Sequence, residues 1–265
     1  MEQNKNRYNI VRKIIARPVV AGIISFLIFI FLGFLILLQR YQILIEGEQR
    51  EMSSIISLVE NNIGQSLQNS NSVALSLALL IDNEGNINNF EDFAPQLVDG
   101  NPNIDVVQLV PGGIITKMYP LKGNMEALNF NILGDDGLRR EAVKAIISRK
   151  MYFAGPLELK QGGLAVVGRL PVFIKNKFWG FSAVIIKLDN LLQQAGISKL
   201  AEEKFLFQFS KFDETTGEEV FFLPETMDMD KSFSKAVVLP DGDWKFYIAP
   251  RNNSSVLLLM LPFAI

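Results

Sequence analysis

A single cation, Arg169, interrupts an apolar stretch of the sequence and needs a chemical explanation. The segments 164–173 and 178–186 are rich in Val, Leu, Ile and Phe, and the polar residues 174–177 separate them, which predicts two central strands joined as a hairpin. Burying a guanidinium alone is very costly, so Arg169 should meet an acid, backbone carbonyls or a ligand. The alternative is an arginine at a strand edge whose charged end extends to water.

The composition excludes most familiar catalytic chemistry. The 265 residues include no cysteine and no histidine, which removes disulfides, thiol nucleophiles, imidazole bases and imidazole metal ligands. Carboxylate or lysine catalysis remains open, but no acidic pair has a spacing that suggests it. Asp135 and Asp136 precede a predicted helix at 138–148, where capping explains them better than a cation site. We therefore expect no enzyme activity, no metal and no cofactor.

An uncharged segment near the N-terminus predicts a membrane anchor. Most of the charged residues at 1–18 are basic, and residues 19–38 carry no charge. Twenty helical residues span about 30 Å, the thickness of the bilayer hydrocarbon. The basic flank predicts a cytoplasmic tail at 1–18, and residues 39–253 then lie outside the cytoplasmic (inner) membrane, in the periplasm. A cleaved signal peptide would need a small-x-small site, which residues 39–42 do not resemble.

Residues 39–80 contain no proline and are predicted to continue the membrane helix as a stalk. Apolar residues recur there at alternating steps of three and four, a pattern called the stalk seam below: Met52, Ile56, Val59, Ile63, Val73, Leu77 and Leu80, with Ser66 and Ser70 in two further positions. The pattern predicts a coiled coil and a homodimer through the stalk. The alternative is a long helix packed on its own domain, and both hold if the membrane-distal part packs while the proximal part dimerises.

Residues 81–188 predict a first set of strands and helices. A hairpin at 104–119, the helix at 138–148, a short strand at 151–153 and the hairpin around Arg169 give a mostly antiparallel sheet with helices on one side. Residues 154–160 are predicted to connect the short strand to that hairpin. The fold class is therefore α+β.

Residues 189–252 predict a second, smaller antiparallel sheet. Phe205, Phe207 and Phe209 alternate with other residues, as in a half-buried strand. After it, residues 254–265 are mainly apolar to the last residue, too short to cross a bilayer, and are predicted as the start of a second transmembrane helix. We expect the chain to be a fragment or a truncated relative of a longer protein. The external residues carry more acids than bases, which disfavours binding to nucleic acid.

Several short motifs, in this order and spacing, resemble the CHASE domain, the extracellular sensory domain associated with cyclases and histidine kinases. They are Pro111–Ile115, Tyr119–Asn124, the helix segment Arg139–Ala142, Gly155–Gly163, Arg169–Phe173 and Phe178–Gly180. Each motif is weak alone, and their succession makes the resemblance specific. It covers about residues 75–195 and extends more loosely to 250.

The resemblance implies a stalk helix followed by two PAS-like antiparallel-sheet subdomains, a membrane-distal one at 81–188 that binds a small ligand and a membrane-proximal one at 189–252. It also implies a transmembrane helix on each side, a dimer, and a cytoplasmic output that is a histidine kinase, a diguanylate cyclase or phosphodiesterase, or a nucleotide cyclase. No such output module lies in this sequence. The alternative function is a membrane-anchored envelope scaffold or assembly protein that binds a protein partner.

The resemblance also implies where the ligand binds. In plant cytokinin-receptor members, adenine-type ligands occupy the distal pocket. The corresponding lining here is Tyr119, Lys122, Asn124, Leu157, Leu159, Val167 and Arg169. Because Lys122 and Arg169 are cations, they favour an anionic ligand such as a carboxylate over adenine.

Overall fold

The computed structural model describes residues 18–160, 162–197, 199–212, 217–223, 233–239 and 242–251. The chain divides into two compact units, one formed by residues 1–51 with 252–265 and the other by residues 52–251. The predicted start of a second transmembrane helix at 254–265 lies outside the described residues, as does nearly all of the basic tail at 1–18.

A single helix, α1, runs from Pro18 to Ala78 over 61 residues. Proline suits the first turn of a helix, because the N–H that it lacks would have no partner there. Within the described residues, α1 is the one helix long and apolar enough to cross a membrane, and none of its most apolar window is buried in the protein. The uncharged segment predicted to span the bilayer, 19–38, lies inside this helix.

The unit at 52–251 contains four further α-helices and nine strands among its described residues. The helices are α2 (Phe90–Asp99), α3 (Asp136–Ser148), α4 (Leu188–Gln194) and α5 (Lys199–Lys204). The strands are β1 (Val106–Pro111), β2 (Lys117–Tyr119), β3 (Tyr152–Glu158), β4 (Leu164–Ile174), β5 (Lys177–Lys187), β6 (Phe205–Phe212), β7 (Glu219–Phe221), β8 (Phe233–Leu239) and β9 (Gly242–Pro250).

The strands form two antiparallel sheets, which confirms the predicted α+β fold class. The first sheet has the order β2-β1-β5-β4-β3 and the second the order β7-β6-β9-β8. The predicted hairpin around Arg169 is the β4–β5 pair, which lies at the centre of the first sheet. The first sheet falls within residues 81–188 and the second within 189–252.

The first sheet is buried on both faces, and each face belongs to a different core. One face, represented by Leu109, Val166 and Val184, packs with α1 and with the aromatic strand β6 of the second sheet. The opposite face, represented by Val167 and Ala183, packs with α3. Strands covered on both sides explain why the sequence of β4 and β5 is almost continuously apolar.

The stalk seam is buried in its own protomer, which corrects the prediction of a coiled-coil dimer through these positions. From Met52 to Leu77 its residues face the first of the two cores, and Val59 and Ile63 are completely buried. A 3.5-residue period identifies the buried face of a helix but not its partner, and here the partners are the two sheets. The stalk seam therefore packs on its own domain, which agrees with the alternative prediction of a long helix packed on that domain.

Strand β3 is longer than predicted. Residues 154–158 belong to the strand instead of a connector, because a register shift between Ala154 and Leu157 accommodates Gly155 and Pro156. Gly155 has a φ of 101°, which favours glycine. An edge strand tolerates such a bulge and a proline because one of its sides needs no ladder hydrogen bonds.

Candidate anion-binding site

Arg169 lies in the interior of the first sheet. Its strand, β4, pairs with β3 on one side and β5 on the other, and the residue is 2% exposed. The alternative of a strand-edge arginine that extends to water is therefore wrong. The remaining hypothesis is that the guanidinium meets a polar partner inside the protein.

The described residues do not satisfy all the hydrogen-bond donors of this guanidinium. The Nε and Nη1 atoms of Arg169 are buried and form no hydrogen bond within the described part of the chain. Burial lowers the pKa of Arg169 to about 10, and the charge of Glu141 and the hydroxyl of Tyr152 oppose this shift. The guanidinium is therefore still protonated at pH 7, so the site holds a buried positive charge whose donors are incompletely satisfied.

A row of residues crosses the sheet at the level of Arg169. Tyr152 pairs with Arg169, Arg169 with Ala183, Ala183 with Gln108, and Gln108 with Met118. Residues directly opposite each other in antiparallel strands point to the same face. We call this side of the sheet, which packs with α3, the Arg169 face.

Gln108 is a second buried polar residue on the Arg169 face. It is 3% exposed. Its sequence signal resembles that of Arg169, since it is one polar residue within the apolar stretch of β1. Ala183, with a small side chain, separates the two polar residues on this face.

Helix α3 covers this face. Asp135 is its N-cap, and the Asp135 Oδ1 accepts hydrogen bonds from the backbone N–H groups of Gly137 and Leu138, which confirms the capping prediction. The helix places Ala142 and Ala145 in the same core as Ala183. Small residues of both the helix and the sheet thus lie in this core.

Glu141, the acid whose charge acts on Arg169, forms an ion pair with a different cation. Glu141, on α3, raises the pKa of Arg169 by charge attraction, but no ion pair joins the two side chains in the described part of the chain. Its Oε1 accepts from the Nζ of Lys211 on β6 instead. The charge of Glu141 is therefore largely matched by Lys211, and that of Arg169 is not.

Four of the predicted site residues, Arg169 included, lie on the side of the sheet that packs with α3. Val167 lies two positions before Arg169 on β4, and Leu159 is buried in the same core. Leu157 packs against that core and pairs with Ala165, four positions before Arg169 on β4.

Of the other three predicted residues, one lies on the opposite face of the sheet, one is exposed and one holds a loop. Tyr119 pairs with Val107 and packs against the core on the opposite face of the sheet. Lys122 is exposed. Asn124 is buried, and its Nδ2 donates to the backbone oxygen of Pro120 at 2.8 Å, which stabilises the loop after β2. The positive charge for an anionic ligand at this site would thus come from Arg169, and Lys122 would not contribute.

Comparison with known proteins gives one family and a set of similar folds. The profile of the CHASE domain matches residues 88–222, half of the chain. No curated protein matches the sequence. Within the matched range lie all five strands of the first sheet, α3 and Arg169.

Solved sensory domains share the fold at low sequence identity. An extracellular ligand-binding receptor from Desulfohalobium retbaense is 10% identical with a TM-score of 0.57; the alignment covers 73% of this chain and 39% of that one. The ligand-binding domain of the Pseudomonas aeruginosa amino acid chemoreceptor PctB in complex with L-Arg is 10% identical, with a TM-score of 0.56 and coverage of 82% and 93%. That of the chemoreceptor PctC in complex with GABA is 16% identical, with a TM-score of 0.53 and coverage of 76% and 98%.

These likenesses concern the fold alone. The aligned domains share two antiparallel PAS-like sheets behind a long N-terminal helix. The match to the CHASE domain, together with the apolar part of α1, indicates a membrane protein with an extracytoplasmic domain.

Proposed function

This chain belongs to the CHASE domain family, and from that premise we propose that it is the extracytoplasmic small-molecule sensor of a transmembrane signalling receptor. The ligand binds on the Arg169 face, between the first sheet and α3. Its contacts are Arg169 as the charged anchor and Leu157, Leu159 and Val167 as apolar walls.

One observation carries the proposal. A protonated guanidinium is completely enclosed, and two of its nitrogens have no hydrogen-bond partner in the described part of the chain. An uncompensated buried charge destabilises a fold by on the order of several kcal/mol, so we expect it to be kept where another group offsets that cost. An anionic ligand would offset it through charge-assisted hydrogen bonds. Chemoreceptor domains of similar fold, solved with L-Arg and with GABA, support the choice of a small organic molecule.

The proposed orientation follows from charge. The basic residues 1–18 remain in the cytoplasm, α1 crosses the inner membrane, and the sheets lie in the periplasm. Ligand binding shifts the population between two arrangements of the stalk, which pass the signal to a cytoplasmic histidine kinase, diguanylate cyclase or phosphodiesterase, or nucleotide cyclase. The ligand must bind one arrangement more tightly than the other for this to occur.

The proposed active form is a homodimer, but not through the stalk seam, which is buried. The outward side of α1 is available for this contact. Leu75 is about half exposed on it, Leu58 is about half exposed beside it, and residues 61–81 include no charged side chain. A solvent-facing helix surface usually carries charges, so an uncharged one with exposed leucines fits a helix–helix contact.

The test is ligand binding by the full chain in detergent micelles. We expect at least one member of a panel of small carboxylates to raise the melting temperature, and Arg169→Met to abolish the shift. Lys122→Met is the matched control, because it removes an exposed cation from the neighbouring loop, and it should leave the shift unchanged. If no carboxylate acts on the wild type, or if Arg169→Met retains the shift, the sensor proposal is wrong at this site and the envelope scaffold becomes the better hypothesis.

A further inference from the structure

We infer that the ligand on the Arg169 face is a compact carboxylate without an ammonium group, and that Gln108 is its second recognition residue. This inference rests on the proposed function and narrows the class of ligand. It separates this chain from the amino-acid-binding chemoreceptors that share its fold.

The first argument is the balance of charge. Arg169 carries one positive charge that no described residue pairs with, and the carboxylate acting on it, Glu141, is held by Lys211. One negative charge on the ligand neutralises the site. The ammonium of an α-amino acid would need a carboxylate of its own, and taking Glu141 for that purpose would break the ion pair with Lys211 and leave the lysine uncompensated.

The second argument is the position of Gln108. The two strand intervals between Arg169 and Gln108 separate their backbones by about 10 Å, and an arginine side chain covers much of that distance. A ligand whose carboxylate meets Arg169 therefore extends over Ala183 toward the Gln108 amide. Because Gln108 is only 3% exposed, the distal end of the ligand should offer a group that its amide can pair with, such as a carboxamide or a hydroxyl.

The third argument is size. Ala183 lies below the proposed ligand, and Ala142 and Ala145 stand above it on α3 in the same core. Three small side chains in this core suit a ligand chain of a few carbon atoms better than a large ring system.

The experiment compares molecules that differ only in the ammonium group. Succinamate is asparagine without its ammonium, and lactate is matched in the same way to alanine, with a hydroxyl in place of the amine. Titration calorimetry on the full chain in detergent should show binding of succinamate or lactate at least about 30-fold tighter than binding of the matched amino acid, a difference of about 2 kcal/mol.

Two variants assign the contacts. Arg169→Met should lower succinamate affinity by about 100-fold or more, since a charge-assisted contact is lost. Gln108→Leu keeps the volume and removes the amide, so it should lower succinamate affinity by about 10-fold and propionate affinity by less than about two-fold. Propionate lacks the distal amide and is the internal control. Unchanged far-ultraviolet circular dichroism in both variants shows that the fold is retained.

The possible outcomes separate this inference from the function that it rests on. Asparagine or alanine binding as tightly as its partner, with loss in Arg169→Met, would overturn the inference and leave the sensor function standing. An equal response of succinamate and propionate to Gln108→Leu would remove Gln108 from the site. If none of the five molecules binds, the inference fails, and failure of the wider carboxylate panel would then remove the sensor function as well.

Discussion

Glu141 and Lys211 form an ion pair that joins helix α3, which covers the Arg169 face, to strand β6 of the second sheet. Both side chains are mostly buried, with 21% and 19% of their surfaces exposed. The acid whose charge reaches Arg169, the proposed ligand anchor, is therefore paired with the other sheet. A ligand anion that changes the potential at Arg169 also changes the potential at Glu141, which gives a direct physical route from the first sheet to the second.

This ion pair should show measurable coupling. In urea titrations, Glu141→Gln and Lys211→Met should each lower the free energy of unfolding by about 1–2 kcal/mol, with a coupling energy of about 1 kcal/mol in the double-mutant cycle. Lys211→Met should also weaken carboxylate binding, because the released Glu141 can then pair with Arg169, and adding Glu141→Gln should restore it. Lys177→Met, at an exposed position of the β4–β5 hairpin, is the control. Strict additivity of the two substitutions would contradict the coupling.

Arg169 should limit stability in the absence of ligand. Replacing it with Met keeps much of the apolar volume and removes a buried charge with unsatisfied donors, so the free energy of unfolding should rise by about 1–4 kcal/mol. Urea titration of the ligand-free chain measures this change. Arg149→Met, which removes a surface arginine stacked on Phe173, should instead be neutral or slightly destabilising. A large loss of stability in Arg169→Met would mean that the guanidinium holds the fold together.

The turn after α1 should depend on pH through Asp82. Its Oδ1 accepts hydrogen bonds from the backbone N–H groups of Glu84 and Asn86, at 2.8 and 2.9 Å. Hydrogen bonds from the backbone and side chain of Asn86 are the main cause that lowers the pKa of Asp82 to about 2. The folded-state pKa lies below the unfolded value of 3.8, so this stabilisation is present above about pH 4 and is lost as the pH falls through about 2.

Trp179 provides the measurement for that turn, because its Nε1 donates to the backbone oxygen of Gly85 at 3.1 Å. We expect its fluorescence to change as Asp82 is protonated. Asp82→Asn should remove this titration step while Asp92→Asn, at an exposed position of α2, should keep it. An identical acid transition in wild type and Asp82→Asn would show that another group controls the turn.

Gly168 should tolerate no larger side chain. An added Cβ would meet the Met151 Cε, and it would come within 2.8 Å of the Phe153 Cε1 in the core shared with α1. Gly168→Ala should therefore lower the free energy of unfolding by about 1–3 kcal/mol. Gly64→Ala is the matched control: no atom lies within 4 Å of its Cβ position on α1, so alanine should stabilise the helix by up to about 1 kcal/mol. Equal effects of the two substitutions in thermal unfolding would contradict this packing.

The sequence predicts which residues are buried better than it predicts what buries them. The pattern of the stalk seam correctly predicts one face of a helix, but the same 3.5-residue period fits packing on a second helix or on a sheet equally well. Arg169 is conspicuous in the sequence because one charge in an apolar strand has few explanations. Gln108 carries the same kind of signal in weaker form, since a neutral amide in a strand is less costly and less conspicuous than a charge.

The face on which Tyr119 lies is harder to predict, since neighbouring residues of a strand point to opposite sides. A shift of one residue in the register of β2 would exchange Tyr119 with Met118 and bring the tyrosine to the Arg169 face. The strand has three residues, so its hydrophobic pattern is too short to fix the register. The distance between Lys122 and Arg169 has a similar origin, because it depends on the path of an irregular loop.

The outward side of α1 should mediate the dimer. Leu75 and Leu79 lie on the side opposite the stalk seam, and Leu79, just beyond the last helical residue, is 84% exposed. Leu58 lies between the seam and that side, and 46% of it is exposed. Leu58→Glu with Leu75→Glu places four like charges in a two-fold symmetric contact, which should raise the dimer dissociation constant by about 10-fold or more. Sedimentation of the full chain in detergent measures this change. Ile147→Glu is the control, because Ile147 is 78% exposed on α3, away from α1 in sequence and on a different helix. A dimer that persists unchanged in the double leucine variant would place the contact elsewhere in the chain, and an equal effect of Ile147→Glu would point to a general consequence of added charge.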